Sequence, residues 1–147
     1  MTDQEIAPHL EITGRHAVEY GGLRFEASFR PPAGATLRVS GYVEGHETEL
    51  LRFDDFIERP HYHIPADGDP IPFDRAALGD PLAWFVSQLR DRLAELLAQA
   101  GYARILSDID LDAVTEHAED IRKAMEACVP DGYVRVPGVG LRRSPTL

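Results

Sequence analysis

The sequence contains a single cysteine, Cys128, in 147 residues. That excludes an intramolecular disulfide and any cysteine-based zinc finger. It has no apolar run near the roughly 18 residues a membrane helix needs, so no membrane span is expected. Positive charge is scarce: 15 basic side chains stand against 25 acidic ones, for a net charge of −10. This balance repels polyanions and excludes a broad DNA-binding face or an anionic membrane surface. Only the C-terminal tail leans basic, through Arg135, Arg142 and Arg143, which leaves a local RNA contact open. The N-terminal "MTDQEIAPHLEI" has acids and no basic region, unlike a signal peptide, and a cytoplasmic location is expected.

What is present reads as an ordinary globular chain, 44% hydrophobic and 27% charged, long enough for one domain with a proper core. The expected organisation is a lead-in over 1–14, a β-meander over 15–58, a Pro/Asp/His-rich loop over 59–79, a helical pair over 80–129, and a short strand with a tail over 130–147.

Between His16 and Ile57 the apolar period is two. In "LRFEASF" Leu23, Phe25, Ala27 and Phe29 alternate with polar residues, and "TLRVSGYVE" and "ELLRFDDF" repeat the pattern. Clean alternation predicts antiparallel strands with one buried face. It also sets Arg52 and Asp54 on the side away from Phe53. Gly21-Gly22 and Gly45-His46 mark tight turns, while Pro31-Pro32 marks a longer loop. After Asp80 the period becomes 3.6. Asp80 and Pro81 open a helix whose stripe runs from Leu82 to Ala100, with Gly101 closing it. A second helix is predicted from Leu111 to Cys128, stopped by Pro130, with Asp108, Asp110 and Asp112 crowding its start. "YVRV" in the tail reads as an edge strand. The predicted fold class is α+β, a meander of three to four strands covered on one face by two amphipathic helices.

The chemistry-bearing stretch is "RFDDFIERPHYHIPADGDPIPF", Arg52 to Phe73. In an extended segment residues i and i+2 point the same way, with Cα atoms roughly 6.5–7 Å apart, so His61 and His63 could share one metal ion. Asp54 could complete the set with a carboxylate; Asp55, Asp67 and Asp69 are alternatives, and His117 could add a third nitrogen. Zinc, manganese or nickel would suit such donors. The plainer reading is a proline-framed loop whose histidines bond their own backbone. Asp54 or Glu58 beside His61 also forms a candidate acid–base pair. The acids of "DGDPIPFD" lack the spacing of a calcium loop, and "PGVG" lacks the strand–helix context of a phosphate loop. Cys128 lies on an apolar helix stripe, which favours burial over reactivity. The aromatics Phe56, Tyr62, Phe73, Trp84 and Phe85 gather around this stretch, where they would serve as a partner surface or as core edge.

Phe53-Asp54-Asp55-Phe56, Pro60-His61-Tyr62-His63 and Gly79-Asp80-Pro81-Leu82, covering the central third of the chain, resemble an uncharacterised prokaryotic family that brings no established activity. The order Arg52, Asp54, Pro60, His61, His63 followed by two helices is similar to TumE-type toxins of toxin–antitoxin pairs. That resemblance implies an antitoxin-like partner and an RNA target. Two functional readings follow. One is a small binding or regulatory protein acting through a protein partner or as a homodimer. The other is a metal-dependent hydrolase or ribonuclease-like enzyme built on His61, His63 and Asp54.

Overall fold

Four long strands follow one another through tight connections: β1 (Thr13–Tyr20), β2 (Leu23–Arg30), β3 (Gly34–Val43) and β4 (His46–Phe56). The computed structural model describes residues 13–145, so the expected lead-in lies outside the described residues except for its last two positions, which open β1. Gly21 and Gly22, with φ of +63° and +90°, make the first hairpin turn, a conformation that costs glycine little. The next hairpin turns one residue earlier than predicted, at Glu44-Gly45, with φ of +52° and +81°.

The expected meander of three to four strands is β1–β4, and the sheet extends beyond it. The 59–79 segment contributes β5 (His61–His63) and β6 (Ile71–Pro72), giving one antiparallel sheet of six strands in sequence order. Their brevity and proline frame hide them from a periodicity reading, because two or three residues cannot show alternation. The predicted edge strand also differs: β7 (Tyr133–Val136) pairs with β8 (Gly140–Arg143) as a separate hairpin.

The core lies on one face of the large sheet. Phe25, Ala27, Phe29, Leu37, Val39, Leu51 and Phe53 are fully buried there. A β-bulge at Leu50 interrupts the β3–β4 ladder, since Val39 faces Leu51 and Ser40 faces Glu49. Leu50 and Leu51 are both buried as a result. Over this face pack α2 (Pro81–Asp91), α3 (Leu93–Gln99), α4 (Leu111–Glu116) and α5 (Ala118–Ala127), preceded by the single turn α1 (Arg75–Leu78). The architecture is α+β, as the order of strand and helix periods predicts.

Each predicted long helix is broken once, at Arg92 and at His117. Both residues leave the helical region, with φ of −134° and −110°. Neither glycine nor proline marks these points, because the causes are tertiary. The Thr115 hydroxyl donates to the Arg90 carbonyl at 3.0 Å beside the first break. At the second, the His117 ring stacks on Tyr20 of β1 at 4.2 Å. Asp80 takes the predicted N-cap position but makes no side-chain cap bond. Among the described residues no helix is long and apolar enough to cross a membrane.

Candidate metal centre

Strand register assembles the site. Asp54 of β4 pairs with Thr36 of β3 on one side and His61 of β5 on the other, while His63 faces Arg52. With a side-chain period of two, Thr36, Asp54, His61 and His63 all project from the face opposite the helices.

Asp54 is 4% exposed. Its Oδ1 accepts a hydrogen bond from the Thr36 hydroxyl at 2.8 Å. Its Oδ2 lies 2.9 Å from His61 Nε2 and 3.3 Å from His63 Nε2. The other nitrogen of each ring is committed: His61 Nδ1 lies 2.7 Å from the Arg59 carbonyl and His63 Nδ1 2.8 Å from the Gly68 carbonyl. A carbonyl only accepts, so each Nδ1 carries a proton, and each Nε2 faces Asp54 either as the second N–H of an imidazolium donating to the carboxylate or with a lone pair open to a metal. A carboxylate oxygen cannot donate either. Contacts this short therefore need a cation between them, a proton or a metal.

Asp54, His61 and His63 could hold a metal ion, since one ligand atom from each lies within 4.8 Å of the others. Two ligands about 2.1 Å from a common ion sit about 3.0 Å apart at a right angle and about 3.4 Å apart at the tetrahedral angle. Both Asp54–histidine separations fall at or close to that interval. The outer contacts match as well: ligating histidines usually give their second N–H to a carbonyl or carboxylate, which fixes ring orientation.

Beside the triad, Arg38 and Arg52 are directly opposite each other on β3 and β4. Glu49 lies between them, 2.9 Å from Arg52 Nε and 3.6 Å from Arg38 Nε. Burial, and then Arg52, hold the Arg38 guanidinium below its ordinary value. On the other flank Phe56 meets the His61 ring edge-on at 5.3 Å, at the mouth of a pocket of about 630 Å³.

Among the residues expected at a site, Asp54, His61 and His63 come together, and the others lie elsewhere. Glu58 is exposed on the pocket wall and makes no hydrogen bond to His61 among those formed. Asp67 and Asp69 are exposed and outside the triad. His117 cannot add a nitrogen: it stacks on β1, at the opposite edge of the sheet, and pairs with Asp120 at 3.3 Å. Asp55 points into the core, 0% exposed, and binds Arg135 of β7 at 2.5 Å. Burial pushes its carboxyl up, against the pull of that guanidinium. Cys128 is buried, its thiol pushed up to about 11 by loss of solvent. Of the four aromatics expected to face a partner, Phe73 is 7% exposed, and Tyr62 and Trp84 pack against each other at 5.2 Å over the core. Phe56 alone stands on the site face. The two backbone carbonyls are what the plainer reading of a proline-framed loop expects, whereas Thr36 and the pairing of Arg135 with Asp55 were outside the sequence reading.

Neither the curated proteins nor the solved structures give a significant match to this chain. A family description does match, over residues 17–125, a segment that holds Thr36 and the whole triad and stops before Arg135. It carries no link to TumE-type toxins. The chain thus belongs to the family described as a domain of unknown function (DUF7700).

Proposed function

We propose that the protein is a metal-dependent hydrolase whose centre is Asp54, His61 and His63. One observation carries this reading: two imidazoles, each fixed by a backbone carbonyl at Nδ1, turn their Nε2 atoms to the same buried carboxylate oxygen. Protons on the two imidazoles could also hold these contacts; with those protons lost, two imidazole nitrogens and a carboxylate oxygen make a ligand set for a divalent ion. Three protein ligands leave positions free for water and substrate, as catalytic zinc sites do. The ion would lower the pKa of its water to about 7 in the case of zinc and polarise the scissile group. Glu58, exposed on the wall next to His61, is the carboxylate we assign as acid–base partner.

The alternative, a module acting through a protein partner or a second copy, has less support, because Phe73 is buried and the half-buried Tyr62 and Trp84 pack against each other over the core. The deciding measurement is metal content by inductively coupled plasma mass spectrometry. Tag-free protein reconstituted with zinc is compared with His61→Ala/His63→Ala, the fold of both being checked by circular dichroism. About one equivalent of metal in the wild type, absent from a folded variant, supports the centre. A folded wild type that takes up no zinc, manganese or nickel overturns it.

A further inference from the structure

The pocket of about 630 Å³ beside His61 is of a size that takes small organic ligands. Phe56, Pro60, Pro70 and Pro72 form its apolar walls. Proline has no N–H and a fixed φ, so these walls offer no donors and are held in shape without a ligand. Two cations also line it, Arg59 and Arg75. Among the described residues neither forms an ion pair with a carboxylate, although Glu58 lines the same pocket. Arg75 is anchored by its Nη2, which donates to the carbonyls of Phe56 and Ile57 at 3.3 and 2.9 Å. Its guanidinium is thus held at the pocket by neutral acceptors, and burial holds its charge below the ordinary value. Asp55 and Asp80 act on Arg75 electrostatically, so the exposed Arg59 is the freer charge; two guanidiniums lining an apolar pocket of a chain carrying −10 are suited to an anion.

We propose that this pocket binds a small organic anion, a carboxylate or phosphate on an apolar body, with its acid group on Arg59 and Arg75 and its body against Phe56 and the prolines. The inference deepens the metalloenzyme reading, since His61 belongs to both the pocket wall and the triad. The site then selects amphiphilic acids and delivers a susceptible bond next to the ion.

Phenylphosphonate serves as the probe, with inorganic phosphate and benzyl alcohol as controls, in calorimetric titrations of the full chain with and without zinc. Phenylphosphonate binds at least tenfold more tightly than either control. Arg59→Glu, an exposed change that leaves the fold intact, weakens it at least tenfold at unchanged zinc content. Phe56→Ala weakens phenylphosphonate and leaves inorganic phosphate unaffected. Equal affinity for phosphate and phenylphosphonate, or an Arg59→Glu protein that binds like the wild type, overturns the proposal. Arg59-dependent binding in a protein that takes up no zinc upholds the pocket and overturns the metal reading. Zinc uptake with no binding of the organic acid does the reverse.

Discussion

Asp54 and Asp55 are neighbours on β4, nearly equal in burial at 4% and 0% exposure, and they face opposite ways. Asp55 meets a permanent cation, Arg135, in the core; its Oδ1 has no partner. Asp54 meets a hydroxyl and two imidazoles whose Nε2 atoms face it. The first arrangement is closed by a cation that belongs to the chain itself. The second is incomplete without a cation and takes whichever one is available. Two identical side chains one residue apart thus become a structural pin and a candidate reactive centre, and what separates them is the donor set around each.

Breaking the pin gives the largest effect. Arg135→Met strands a fully buried carboxyl, and urea denaturation at neutral pH should show a loss of about 3–5 kcal/mol. The pH dependence has a defined sign. Burial raises the Asp55 carboxyl, and without Arg135 only the weaker pull of Arg75 opposes it. The folded variant then holds that proton to higher pH than the unfolded chain does. Its stability is therefore greatest in acid and falls as pH rises through and above the ordinary carboxylate range. A variant whose loss does not shrink on acidification would refute this account of Asp55.

On the other face, Thr36→Val removes the hydroxyl that orients Asp54. Zinc affinity, measured by competition with a chromophoric chelator, should fall about 10–100-fold, the range for outer contacts of metal ligands. His117→Ala sharpens the comparison by doing nothing there. Zinc content should stay at the wild-type level, while the lost stack on Tyr20 lowers stability by about 1 kcal/mol. Cys128 gives the smallest signal. With its thiol near 11 and buried, iodoacetamide at pH 8 should leave the folded protein unlabelled on a timescale that fully labels it in urea.

The site was partly legible because strand periodicity is strict. Alternation alone placed Asp54 opposite in direction to Phe53, and made His61 and His63 point together. Which strand lies beside them was not legible: β5 has three residues and sits between prolines, so it reads as loop. Thr36 was hidden by the bulge. Counting back from the turn, where Val43 faces His46, an unbroken ladder would set Thr36 against Phe53. The extra residue at Leu50 moves its partner to Asp54 and so to the other face. The helix positions followed from their apolar stripes, but the breaks at Arg92 and His117 come from contacts with Thr115 and Tyr20, which sequence spacing does not encode.

Asp55 Oδ1, Asp80 Oδ1, Arg75 Nε and Arg135 Nε and Nη2 are buried side-chain atoms without hydrogen-bond partners. Water entering between the C-terminal hairpin and the sheet would hydrate the groups on Asp55 and Arg135 at once, so part of the cost of exposing apolar surface there is returned. The hairpin is therefore expected to open more cheaply than its buried Leu141 suggests, ahead of the global unfolding of the sheet, which amide hydrogen exchange would show.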